Sequence, residues 1–269
     1  MDEVGIVKLL LKYNARVDIQ ETICGRTALH WTTNKDIAKL LIKAGSNINA
    51  QGKWGETPLH IACKKGHYEF AKLLIDLGAN MNIIRKTGRE KTALHCACEN
   101  NHYEIVKLLL TNGADINIQS HTRGSILHDA CENKHYKLAK LLIENGVNVN
   151  LLDSARETPL HIMCREATSP TPEEIDIVKL LINAKANSNI YNREDDTPFH
   201  IACQYYESNL VIVKLLLKNE SNIQKLKQLL EYCIVKNNVH LSKLIILDLI
   251  TKNNDVYMAR KLIMLNSKE

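Results

Sequence analysis

A four-residue box constrains this chain more than any other feature. It recurs as TALH at Thr27, TPLH at Thr57, TALH at Thr92, SILH at Ser125, TPLH at Thr158 and TPFH at Thr197, at steps of 30, 35, 33, 33 and 39 residues. Each box reads as a helix start. Thr or Ser is a good N-cap, and a following Pro sits at the first helical position, where its missing N–H costs nothing. Residues 55–82 show the whole unit. Thr57 and Pro58 open a short apolar helix, and Gly66 can take the left-handed conformation that closes it. A second helix over residues 68–77 carries Phe70, Ala71, Leu73, Leu74 and Leu77 three and four apart, and Gly78 ends it. Two helices of this length cannot bury their own apolar faces, so the unit needs neighbours of its own kind.

A second marker keeps the same phase. A Lys precedes the apolar run of each outer helix, at Lys8, Lys39, Lys72, Lys107, Lys140, Lys179 and Lys214. Boxes, lysines and a period near 33 residues together resemble the ankyrin-repeat family over roughly residues 4–223. The resemblance implies an all-α solenoid of about seven helix-turn-helix repeats with β-hairpin fingers between them, plus a C-terminal helical cap. The expected division is residues 1–223 for the array, with an incomplete first repeat, and 224–269 for a degenerate repeat and capping helices.

Eight Cys and eleven His invite a metal reading, and their phase removes it. Cys63, Cys98, Cys131, Cys164 and Cys203 each lie six residues after the box Thr or Ser, one equivalent inner-helix position. Packed helices stand about 8–10 Å apart, too far for disulfides between equivalent positions. Free buried thiols fit a reducing compartment, so a cytoplasmic location is expected, with the nucleus also open to it. His30, His60, His95, His128, His161 and His200 end the boxes, and the family implies that this His hydrogen-bonds loop backbone. No metal and no cofactor are expected.

The fingers run from the Asn that closes one repeat to the next box. The step is eight residues from Asn49, Asn117, Asn150 and Asn189, and ten from Asn82. That longest finger is also the most basic: Arg85, Lys86, Arg89 and Lys91 against Glu90 give +3. The preceding finger carries Lys53 and Trp54 between glycines, and the following one carries His121 and Arg123. Later the sign reverses, with Arg193 against Glu194, Asp195 and Asp196 giving −2. In the family, fingertips and inner helices line a concave binding face. A Trp flanked by Arg and Lys is the kind of anchor that dominates interfaces. The partner-binding candidates are therefore Lys53, Trp54, Arg85, Lys86, Arg89, Lys91, His121 and Arg123, facing an acidic segment of a protein partner.

Departures from the period carry their own expectations. Residues 1–18 read as the back half of a repeat, as in a fragment of a longer array. A monomer is expected, a dimer through that uncapped end being the alternative. The second repeat is short, and Trp31 stands where an aliphatic residue is usual, an expected core position. A six-residue insertion within 165–174 holds Pro170 and Pro172, and reads as an exposed loop with two Ser/Thr-Pro pairs. Residues 229–235, 241–250 and 256–265 read as three further helices.

Nothing in the sequence arranges catalysis: a Gly-rich phosphate loop, a zinc-protease helix and a serine elbow are all missing. The expected function is a non-enzymatic protein–protein interaction module, which fits an inhibitor or a host-directed effector. Two alternatives stand beside it. One is an adaptor recruiting other machinery through residues 224–269. The other is a binder of nucleic acid or an anionic surface, which the modest net charge of +5 allows without indicating.

Overall fold

A computed structural model of the chain describes residues 2–85, 90–119, 124–166, 170–204, 206–220, 222–236 and 238–253. These residues fall into two compact units, 1–148 and 149–269. The first opens with α1 (Glu3–Lys12) and continues as helix pairs: α2 (Ala28–Trp31) with α3 (Lys35–Lys43), α4 (Pro58–Lys65) with α5 (Tyr68–Asp76), α6 (Ala93–Glu99) with α7 (Tyr103–Thr111), and α8 (Ile126–Glu132) with α9 (Tyr136–Glu144). The second holds α10 (Pro159–Glu166) with α11 (Pro172–Asn183), α12 (Pro198–Gln204) with α13 (Tyr206–Asn219), and α14 (Ile223–Val235) with α15 (Val239–Asn253). Inner helices stack on inner helices, α2 on α4, α4 on α6 and α6 on α8, and α10 on α12 in the second unit. Outer helices do the same, α5 on α7 on α9, and α11 on α13.

The box works through local hydrogen bonds. Thr57 has extended backbone, and its Oγ1 accepts the N–H of His60 at 3.4 Å. In return the Thr57 N–H donates to His60 Nδ1 at 3.2 Å. This is a capping box with an imidazole in the place usually held by a carboxylate. Because Nδ1 accepts, the proton sits on Nε2, which donates to the Lys91 carbonyl at 3.1 Å, in the finger before the next box. His30 reaches the Glu56 carbonyl in the same way at 3.1 Å, and His161 reaches that of Asp196 at 3.3 Å. In these three repeats the box both starts its own helix and ties down the next finger. His95 departs from the pattern: its Nε2 is buried without a partner.

Between repeats the box leucines Leu29, Leu59, Leu94, Leu127 and Leu160 are fully buried, as are Leu74, Leu109, Leu142 and Leu181 of the outer helices. Each contributes roughly 1.5–3 kcal/mol of hydrophobic stabilisation. The in-phase cysteines are buried small residues, and all eight Cys are free thiols. An asparagine ladder runs alongside. Asn49 Oδ1 accepts the Asn80 N–H at 2.8 Å, Asn82 accepts that of Asp115 at 2.9 Å, and Asn117 that of Asn148 at 2.8 Å. In the second unit Asn150 accepts from Asn187 at 2.7 Å.

The fingers are shorter in structure than the hairpins expected of them. Arg85 and Lys91 form an isolated antiparallel bridge, in the ten-residue finger. The described eight-residue fingers are tight turns about Gly25, Gly55, Arg156 and Asp195, all at positive φ. These turns close on backbone bonds, such as Gly52 N–H to the Glu56 carbonyl at 2.9 Å and Asp153 N–H to that of Glu157 at 3.0 Å.

Trp31 also departs from expectation. Helix α2 is a single turn that ends at Trp31, and the indole is 58 % exposed rather than in the core. With the helix so short, the position after the box His has no neighbouring turn to pack beneath. In the inserted segment, Thr171 caps α11: its Oγ1 accepts the Glu174 N–H at 3.3 Å and its N–H donates to Glu174 Oε2 at 2.8 Å. Ser169 lies outside the described residues. The helix pair expected near the C-terminus is α14 and α15, while the third helix, over 256–265, falls outside the described residues. Among those described, no helix is long and apolar enough to cross a membrane.

Candidate functional site

The site builds from charges at two positions set by the repeat. One lies directly before the box, the other seven residues after the box Thr. In three repeats these two positions bond to each other. Lys91 pairs with Glu99, Arg165 Nη1 binds Glu157 Oε1 at 2.6 Å, and Gln204 Nε2 donates to Asp196 Oδ2 at 3.0 Å. The helical rise of two turns brings the second position back beside the finger, so the pair forms within one repeat.

The repeat at Thr57 breaks the rule. Its members are Glu56 and Lys64, but Glu56 is taken by Arg26, the residue before the preceding box. Arg26 Nε and Nη2 both donate to Glu56 Oε1, at 3.0 and 2.9 Å. The Arg26 guanidinium is held in turn between two indoles, 5.1 Å from the Trp31 ring and 5.9 Å from that of Trp54. Cation–π attraction of this kind contributes about 0.5–1 kcal/mol at exposed sites. The diversion leaves Lys64 with no side-chain partner among the described residues. It also leaves Glu56 Oε2 buried and unpartnered.

Beside these groups opens a cavity of about 360 Å³. Trp54 and Ile61 give it apolar wall, Arg26, Lys64 and Arg85 line it as cations, and Glu56 is its carboxylate. Arg85 is half-buried, and its Nε is buried without a hydrogen-bond partner. Three cations against one carboxylate leave a local charge of +2.

His60 and Cys96 also line the cavity, a pair that invites a nucleophilic reading. Their chemistry argues against it. Burial pushes the Cys96 thiol up, away from thiolate, and burial lowers His60 to about 4. Both His60 nitrogens are committed to backbone, at Thr57 and Lys91. A thiol without a free base is a poor nucleophile. Among the described residues no three His, Cys, Asp or Glu side chains gather as metal ligands.

The candidates singled out in the sequence separate here. Trp54 is 47 % exposed and borders the cavity with Arg85. Lys53 is exposed at the same turn, with its ammonium donating to the Thr22 carbonyl. Lys91 is 3 % exposed and ion-paired to Glu99, so its charge is neutralised inside the fold. Lys86, Arg89, His121 and Arg123 lie outside the described residues. Three site residues escaped the sequence reading: Arg26, Glu56 and Lys64. Their signal was the sign pattern of the two repeat positions, Lys/Glu and Glu/Arg in other repeats and Glu/Lys here with a second cation one repeat earlier.

Short helix pairs repeated on a 33-residue period, a His-containing capping box and turns between repeats define an all-α repeat protein of the solenoid class. A family model of ankyrin repeats matches residues 2–85, 32–120, 94–169, 127–228 and 171–258, and the chain belongs to the ankyrin-repeat family. Human Rabankyrin-5 is 33 % identical over 85 residues, 30 % of this chain and 7 % of that protein. Mouse protein phosphatase 1 regulatory subunit 27 is 40 % identical over 67 residues, 24 % of this chain and 44 % of that protein. The chain thus spans less than half the length of these relatives. Among solved structures, the ankyrin repeat domain of Bcl-3, of the IkappaB family, superposes with a TM-score of 0.67 at 27 % identity, covering 79 % of this chain and 91 % of that one. Ankyrin repeats are protein–protein interaction modules, and the fold is a non-catalytic one.

Proposed function

We propose that this chain is a non-enzymatic binding module for a protein partner, seated on the finger turns and inner-helix ends of the first unit. The observation that carries the reading is an exposed indole, Trp54, beside a cationic cavity whose Arg85 has a buried, unpartnered N–H. An aromatic group and an arginine at one concave place form the usual core of an interface hot spot. The local excess of positive charge favours an acidic segment of the partner, because complementary potential speeds encounter and suppresses wrong partners. Lys53 extends that surface, and by charge alone Lys86, Arg89, His121 and Arg123 remain further binding candidates, whereas Lys91 is taken by Glu99. Two relatives named as phosphatase regulatory subunits support a role exercised through binding.

The test is affinity capture from cytosol by the native chain and by a Trp54→Ala, Arg85→Ala double variant. A partner held by the native chain and released by the variant supports the reading. Equal capture by both moves the interface elsewhere. Exposed Ile234, Val235 and Leu247 on α14 and α15 favour that pair as the second reading, an adaptor surface. Binding of nucleic acid instead would appear as a steep loss of affinity with salt.

A further inference from the structure

We infer that the cavity beside Trp54 is a subsite for one carboxylate side chain, Asp or Glu, carried on an extended segment of the partner. The inference rests on the binding-module reading and adds the chemistry of its anchor.

Charge pairing within the repeats leaves one place unpaired. Lys91 with Glu99, Glu157 with Arg165 and Asp196 with Gln204 satisfy their own repeats. In the repeat at Thr57 the same geometry would join Glu56 to Lys64. Arg26 takes Glu56 instead, through two hydrogen bonds to a single oxygen. Lys64 is thereby released toward the cavity, where Arg85 already presents a buried N–H without an acceptor. A buried donor left unpaired is destabilising, and an arriving acceptor removes that cost.

Two features set the charge and shape of the acceptor. Glu56 Oε2 is buried at the same cavity without a protein partner, so an occupant carrying an N–H beside its anion suits it. With Arg26 paired to Glu56, two donors remain unspent, Arg85 and Lys64, and the two oxygens of one carboxylate match them bond for bond. An acidic residue in an extended segment supplies both needs: its carboxylate accepts from Arg85 and Lys64, and a backbone N–H close by donates to Glu56 Oε2. A cavity of about 360 Å³ accommodates such a side chain with room for ordered water. Trp54 and Ile61, alongside, give the subsite its apolar wall. Arg26 has a different part. Its guanidinium is spent on Glu56 and the two indoles, so it is a positioning residue that keeps Lys64 free.

A displayed library of random decapeptides, selected on the full-length chain, provides the probe. Selected peptides are then titrated by calorimetry against the native chain, Arg85→Gln, Lys64→Gln and, as a surface control, Lys107→Gln on α7. The expected result is an acidic residue at one position, with its amide analogue binding at least tenfold more weakly. Arg85→Gln and Lys64→Gln should each lose a similar factor, while Lys107→Gln stays within twofold. Once the peptide carboxylate has become an amide, the Arg85 and Lys64 variants should cost little more, since they act on the same group. Circular dichroism verifies that each variant keeps its helices. Three results overturn the subsite: no peptide selected, peptides whose affinity ignores Arg85 and Lys64, or a phosphoserine peptide binding more tightly than its glutamate counterpart. None of the three touches the broader reading. That one fails separately, if the Trp54, Arg85 double variant captures the same partner as the native chain.

Discussion

Acid should unfold the first unit earlier than its carboxylates alone would require, because two of its box histidines are held neutral. His60 is 1 % exposed and His95 is 2 % exposed, and burial lowers each to about 4 from an ordinary value near 6.5. Neighbouring cations add to the effect, Arg85 for His60 and Lys91 for His95. Protonating Nδ1 would also abolish its acceptance of the box N–H. The unfolded chain therefore binds protons that the folded chain refuses. Stability contributed by each ring is fully present above pH 6.5 and is lost as pH falls toward 4. A fall from 6.5 to about 4 corresponds to about 3 kcal/mol per histidine once both forms are titrated. At pH 4.5 most of that is already lost, about 2–3 kcal/mol for each ring.

The direct assay follows the ring proton signals of His60 and His95 by NMR between pH 7.5 and 4.5. Urea unfolding at the same pH values gives the free energy. His60→Asn keeps a hydrogen-bonding side chain and removes the titration. It should be less stable than the native chain at pH 7.5 and should narrow the gap on acidification. Either ring titrating at or above pH 6 would refute the reasoning, as would an unchanged gap between His60→Asn and native chain down to pH 4.5.

Three further outcomes are expected. Lys185 sits at φ 67°, where Gly45, Gly78, Gly113 and Gly146 end the other outer helices, so Lys185→Gly should stabilise the second unit by about 1 kcal/mol, read as slower hydrogen exchange over residues 170–204. Gly66→Ala should destabilise by about 2 kcal/mol in urea unfolding, since φ is +77° and the new Cβ would lie 2.6 Å from the His102 ring. Ellman's reagent on the native chain should modify Cys24 rapidly and the other seven thiols only on unfolding, because those seven are buried.

The fold class and the helix starts are legible in the order of residues, and the family resemblance implied the backbone bond of the box His. Those features depend on bonds between residues three apart, such as Thr57 with His60, and on a period that demands stacked neighbours. Phase alone also assigned the in-phase cysteines to one buried inner-helix position. The resemblance implied fingers between repeats, and stacking shaped the described eight-residue ones as turns. Where each charge ends up emerges only once the repeats stack. Lys91 looked like part of a basic fingertip and is buried against Glu99; Arg26, marked in sequence only by its sign and phase, organises the site. Arg26 meets Glu56 across 30 residues of sequence, and whether Glu56 binds it or Lys64 depends on how two repeats stack. Exposure of Trp31 follows in the same way, from the length of one helix turn. Pairing between repeats is a competition among partners at similar distance, and sequence lists the competitors without ranking them.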